Sequence, residues 1–143
     1  MKTHLLARAV IQDAGHVLVA QARGFSHTFL PGGHIEPDEG MRAALTRELS
    51  EELGLRVEVS RFLGVVEFWW TDRQGQEHYE LNHLFSATSP RLRHDLPVAS
   101  QEAHLSFEWV PLEQLDTRRL EPFPLRNLIR EGAAHAWFAS AVQ

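Results

Sequence analysis

The sequence contains no cysteine, which removes a disulfide framework, a thiolate metal site and a cysteine nucleophile, and fits a reducing compartment. No run approaches the roughly eighteen apolar residues of a membrane-spanning helix. The first residues, MKTHLLARAVIQD, carry a short apolar stretch broken by Arg8, too poor for a secretory leader. Internal repeats and low-complexity linkers are also missing. Basic residues are scattered: 14 Lys plus Arg stand against 19 Asp plus Glu, for a net charge of −5. Long nucleic acid needs a concentrated positive surface, so it is a poor partner for this chain. These absences lead to the expectation of a cytoplasmic protein with neither membrane nor long nucleic acid as partner.

What the chain does have is the material for a core. At 143 residues, 43% hydrophobic and 23% charged, it is expected to form one domain over residues 1–143. Residues 3–12 and 16–23 are rich in branched apolar side chains around Asp13-Ala14-Gly15, which predicts an antiparallel hairpin. Phe29-Leu30-Pro31-Gly32-Gly33 is expected to break regular structure. From about Pro37 or Asp38 to Leu53 the pattern is helical, with acids at its start and Gly54 as its cap. Two long strands, 56–70 and 77–88, are expected around a turn at Asp72-Arg73-Gln74-Gly75, and a further strand at 105–110. Residues 111–116 suggest a short helical turn. After Pro122 and Pro124, the spacing of Leu125, Leu128 and Ile129 predicts a C-terminal helix to about Phe138, weakened by Gly132. Strands interspersed with two separated helices predict an α/β (α+β) sandwich.

The 37–53 helix concentrates carboxylates. At 100° per residue, with Glu48 at zero, Glu52 falls at about +40° and Glu51 at about −60°, so the three share an arc of roughly 100°. Leu45, Leu49 and Leu53 lie beside it, between about +60° and +140°. The acids therefore stand at the margin of the core. Like-charge pairs at this spacing cost only a few tenths of a kcal/mol when exposed, so helix geometry alone permits an ordinary solvated face.

The spacing of the whole segment is more specific. Gly33, Glu39, Arg47, Glu48, Leu49, Glu51, Glu52, Gly54 and Leu55 fill every defined position of G-x5-E-x7-R-E-U-x-E-E-x-G-U, where U is a bulky aliphatic residue. The segment thus resembles the Nudix box. The Leu-Pro-Gly-Gly lead-in, the upstream hairpin and Trp109-Val110-Pro111-Leu112 extend the resemblance along the chain. It implies an α/β/α sandwich around a mixed sheet, and hydrolysis of a nucleoside diphosphate linked to another moiety with Mg2+ or Mn2+. Carboxylate oxygens suit such a hard cation. The resemblance implies Glu48, Glu51 and Glu52 as metal ligands, with the carbonyl of Gly32 completing the set. Arg47 lies at about −100° on the helix and reads as an organiser that pairs with Glu51 or Glu39 and holds the carboxylates in place.

The general base is left open by the sequence: family members use a box glutamate, such as Glu51 or Glu52, or a carboxylate from a distant loop. Glu102 is the preferred outside candidate and Glu80 the second. Nine histidines include no His-x-x-x-His pair and no accompanying cysteine, which argues against a transition-metal site; His27 and His34 bracket the Pro-Gly-Gly turn. In Phe68-Trp69-Trp70, alternation sends Trp69 to one face and its neighbours to the other, so Trp69 or Trp70 offers a ring on which a base can stack. Arg23 is a candidate phosphate or ribose contact.

Residues 66–74 contain neither the proline nor the tyrosine that marks the ADP-ribose and diadenosine polyphosphate subgroups of the family, and the extra coenzyme A motif is missing before the box. Nucleoside di- or triphosphates and nucleotide sugars remain, as small-molecule partners. The alternative function is a non-catalytic nucleotide-binding module, whose mark would be degenerate box glutamates. Homodimerisation is an expectation from the family alone.

Overall fold

The computed structural model describes residues 1–132 and 136–141. In chain order the strands are β1 (Lys2–Val10), β2 (Gln12–Asp13), β3 (His16–Ala22) and β4 (Gly32–His34), then helix α1 (Met41–Leu53). Strands β5 (Glu58–Thr71), β6 (Glu77–Thr88) and β7 (Leu105–Pro111) follow, then α2 (Pro124–Glu131) and β8 (Trp137–Ala141). A five-stranded sheet runs β4-β1-β6-β5-β8, and a three-stranded sheet runs β2-β3-β7. In the larger sheet β1 is parallel to β6 and β5 to β8, while β4 and β1, and β5 and β6, are antiparallel. The sheet is therefore mixed, and the fold is α+β as expected.

The pleat of β1 divides the core in two. Ala7 and Ala9 face α1, where Leu45, Leu49 and Leu53 bury their side chains with Phe85, Ala87 and Val57. Burial of each leucine contributes about 1.5–3 kcal/mol, enough to hold the acidic helix against the sheet despite its charge. The opposite face carries Val66 and Leu84 against Val17, Val19 and Val110 of the smaller sheet and Leu125 and Ile129 of α2. Helices thus cover both sides, and a cleft opens between the sheets at the C-terminal part of β5 and the N-terminal part of β6.

Several elements depart from the sequence expectation. Strand β1 does not hairpin with β3: only Gln12 and Asp13 pair with it, across a tight turn at Ala14 and Gly15, both at positive φ. The chain changes sheets at Ile11, so the expected hairpin is real at its tip and split at its base. The 29–33 segment does not stay irregular, because Gly32–His34 add to the edge of β1. Helix α1 begins at Met41, not at Pro37 or Asp38: Asp38 has φ 66°, and Gly40 is extended at φ −74°, ψ 157°. No acid therefore lies in the first turn. Its far end follows expectation, with Gly54 left-handed and its N–H bonded to the Ser50 carbonyl at 2.9 Å. The C-terminal helix ends at Glu131 instead of near Phe138; Gly132 turns the chain at φ 61°, and Trp137–Ala141 form β8 beside β5. The expectation for 133–135 lies outside the described residues. Trp137 is buried where its backbone crosses Gly64, a position with no room for a Cβ, so tertiary packing overrides the helical spacing.

Candidate active site

Four polar residues are buried among those described: Thr28, Glu52, His78 and Asn82. Buried polar groups need partners, and one of the four, Asn82, lines the cleft between the sheets. The first element of the site is the Gly32–Gly33 turn against α1. Gly32 has φ 138°, and a Cβ there would strike the Ala7 carbonyl. A Cβ on Gly33 would stand 2.5 Å from the carboxyl carbon of Glu48. Gly32 thus lets the turn lie against β1, and Gly33 lets it lie directly on the acidic face of the helix.

Arg47 ties this face together. Its Nε donates to Glu39 Oε2 at 2.7 Å and its Nη2 to Glu39 Oε1 at 2.9 Å. Nη1 reaches Glu48 and Glu51, each at 3.2 Å, and Nη2 also donates to the His34 carbonyl at 3.1 Å. The bidentate fork drives the Glu39 carboxyl down to about 2, with help from the Glu36 backbone contact. Glu39 is thereby the anchor of Arg47, in the loop ahead of the helix.

Glu52 is the inward member, 5% exposed. Its Oε1 lies 3.4 Å from the Gly32 N–H, a marginal hydrogen bond. Burial pushes its carboxyl up to about 8; Arg8 and the Gly32 N–H oppose this, while the charges of Glu48 and Glu102 add to it. Glu102 is brought to Glu52 by its loop, whose Gln101 N–H donates to the Glu52 carbonyl at 2.8 Å. A buried carboxylate crowded by two others is under-neutralised. Such oxygen donors suit a hard cation such as Mg2+ or Mn2+. Among the described residues no three His, Asp or Glu side chains close on one point; Glu48 and Glu51 are both bonded to Arg47.

Beside this turn lies a pocket of about 850 Å3, whose lining includes Arg8, Phe29, Trp70, Glu80, Asn82 and Phe123. Trp70 and Phe68 share its sheet face with Glu80, while Trp69 points from the opposite face, is 37% exposed and also borders the pocket. Glu80 is engaged there: its Oε2 accepts the Trp70 indole N–H at 2.7 Å and its Oε1 the Asn82 amide at 3.2 Å. Arg8 donates to the Leu30 carbonyl at 3.2 Å and lies over the Phe29 ring. Burial pushes its pKa down, countered by Glu80, Glu52 and Glu48. It is thus the cation between the pocket and the acidic helix.

Of the residues singled out from sequence, Gly32, Glu48, Glu51, Glu52, Arg47 and Glu102 meet around one turn, and Trp69 and Trp70 meet at the neighbouring pocket. Arg23 does neither: its guanidinium donates to the Ala103 carbonyl at 2.7 Å and pins the loop that carries Glu102. Arg8, Asn82 and His78 were missed. Arg8 left a signal, a charge at an inward position in the apolar run LLARAV; Asn82 left a weaker one in LNHLF.

A mixed-sheet sandwich with an acidic helix packed on a glycine turn defines a protein class that the comparisons identify. The NUDIX domain matches residues 2–131. The chain belongs to the NUDIX family. The Escherichia coli CTP pyrophosphohydrolase is 39% identical over 67 residues, which cover 44% of this chain and 50% of that protein. The chain thus spans about half the length of that relative. Nucleoside triphosphatase NudI of an Enterobacter strain is 27% identical over 132 residues, covering 82% and 88% of the two chains. The solution structure of the E. coli ORF135 protein superposes with a TM-score of 0.64 at 25% identity, covering 94% of this chain and 96% of that one. No helix among the described residues is long and apolar enough to cross a membrane.

Proposed function

We propose that this protein hydrolyses a pyrophosphate bond in a nucleoside diphosphate linked to another moiety, with a nucleoside di- or triphosphate or a nucleotide sugar as substrate. The observation that carries the reading is the contiguity of two parts, the Glu48–Glu51–Glu52 face under Gly32–Gly33 and the aromatic pocket beyond it, with Arg8 between them. The names of the relatives, a CTP pyrophosphohydrolase and a nucleoside triphosphatase, support the same substrate class.

Glu48, Glu51, Glu52 and the Gly32 carbonyl would hold Mg2+ or Mn2+. When bound, such an ion neutralises pyrophosphate oxygens and lowers the pKa of water. Arg47 holds the carboxylates in place through its bonds to Glu39, Glu48 and Glu51. Glu102, facing Glu52 from its loop, takes the proton of the attacking water; Glu80 does not, being committed to Trp70 and Asn82. Trp70 supplies a ring against the base, and Arg8 a positive charge toward the phosphates.

The test is a screen of nucleoside triphosphates, nucleotide sugars, ADP-ribose and dinucleoside polyphosphates with and without Mg2+. Cation-dependent turnover of at least one is expected, and 18O-water then identifies the phosphorus attacked. Binding without turnover of any of them, with Mg2+ or Mn2+, would leave the non-catalytic module as the reading.

A further inference from the structure

Beyond the pocket, the same sheet face carries a chain of hydrogen-bonded rings that the site does not use. Asp72 sits at the turn between β5 and β6, where its Oδ1 accepts the backbone N–H groups of Gln74 and Gln76, each at 2.9 Å. Its Oδ2 lies 2.9 Å from Nε2 of His78. Nδ1 of His78 is 2.8 Å from Nε2 of His4, and Nδ1 of His4 is 2.8 Å from Nε2 of His34. An Nε2–H donated to the Asp72 carboxylate leaves Nδ1 of a neutral His78 bare, and that is the atom His4 faces. The assignment follows from the network: each ring has one tautomer that satisfies both neighbours. His78 is thereby fixed in orientation at 8% exposure.

Trp70 lies flat on this fixed ring, with centroids 4.1 Å apart and planes 9° from parallel. Its Nε1–H is held by Glu80 at 2.7 Å. One face of the indole is thus covered by His78, which is not part of the pocket lining, and its polar edge is held by Glu80 at the pocket wall. A flat aromatic side chain binds a base well when it is already oriented, because the ordering cost is met before binding.

We propose that His78, clamped between Asp72 and His4, is a positioning residue that backs Trp70 and so sets the affinity of the pocket for the base of the substrate. This rests on the reading of the pocket as the base site. The hairpin turn, through Asp72, is then part of substrate recognition although it lies outside the pocket.

The test is a double-mutant cycle on the full chain. Affinity for a methylene-bridged, non-hydrolysable nucleoside triphosphate is read by calorimetry with Mg2+, so the result does not depend on turnover. Trp70→Ala is expected to weaken binding about fivefold to a hundredfold, the range of one base stacked on an aromatic ring. His78→Ala is expected to weaken it by about threefold to tenfold, to add nothing in the Trp70→Ala background, and to leave affinity for inorganic tripolyphosphate unchanged. Should His78→Ala fail to fold, Asp72→Asn and His78→Phe carry the test, both expected to fall between the unaltered chain and Trp70→Ala. Full additivity with Trp70→Ala, equal weakening of tripolyphosphate, or unaltered nucleotide affinity in folded His78 variants overturns the inference alone. Absence of nucleotide binding in the unaltered chain overturns the base-site reading with it.

Discussion

Gly33 and Glu48 compete for one space: a Cβ on Gly33 would lie 2.5 Å from the Glu48 carboxyl carbon and 2.6 and 2.7 Å from its oxygens. Because the obstacle is the end of a flexible side chain, Gly33→Ala is expected to move the carboxylate without unfolding the chain. Turnover should fall by about tenfold to a hundredfold, the cost of a misplacement near 1 Å, while the melting temperature stays within about 4 °C, the shift that roughly 1 kcal/mol produces. Unchanged kinetics would mean that the position of this carboxylate is immaterial.

Glu52 makes stability depend on pH. Its carboxyl is raised by burial from 4.5 to about 8 in the folded chain. Between those values the folded state keeps a proton that the unfolded state has released, so stability falls as pH rises through that window. Metal-free protein is expected to melt at a lower temperature at pH 8 than at pH 5.5. In Glu52→Gln this contribution should vanish, with catalysis lost by orders of magnitude and melting little affected or raised. Thermal melts of both proteins across pH decide it; identical slopes would contradict the buried, protonated carboxyl.

The same proton must leave before a divalent cation can bind. Affinity for Mg2+ or Mn2+ is therefore expected to rise with pH up to about 8, accompanied by proton release. Calorimetry in two buffers of different ionisation enthalpy measures this release directly. A pH-independent affinity would place the ion elsewhere.

Arg47 makes its bonds to Glu39 through two nitrogens at once, a geometry that lysine cannot reproduce. Arg47→Lys is expected to lose activity nearly as fully as Arg47→Ala, by about tenfold to a hundredfold. Steady-state kinetics of the pair provide the check: recovery by lysine would reduce the role to charge alone.

Glu102 and Glu80 should separate kinetically. Glu102→Gln is expected to lower kcat by about a hundredfold to ten-thousandfold, the usual contribution of a general base. Glu80→Gln weakens its bonds to Trp70 and Asn82, so it should raise KM and leave kcat within about threefold, a barrier change of less than roughly 1 kcal/mol. The reverse pattern would exchange their roles.

The acidic site was legible because its members are close in sequence and governed by one helical period: Glu48, Glu51, Glu52 and the leucines beside them need only 100° per residue to be placed. Gly54 as a cap and the Asp72–Gly75 turn were legible for the same reason, each being a local backbone requirement. The start of α1 was misplaced because Glu39 suits a helix N-terminus in isolation, whereas here it serves Arg47, eight residues onward in the chain.

What the sequence alone determined is the acidic helix and the family, since both reside in a contiguous pattern whose chemistry is carried by spacing. Only the tertiary structure decided which strands pair, that Trp137–Ala141 extend a sheet instead of a helix, and which arginines, Arg8 and Arg119, line the pocket. It also decided that His4, His34, Asp72 and His78 form one chain behind Trp70. These depend on sheet register between segments far apart in the chain, His16 of β3 pairing with Pro111 of β7, 95 residues on, and register is set by how whole strands bury their faces against each other, which no local period encodes.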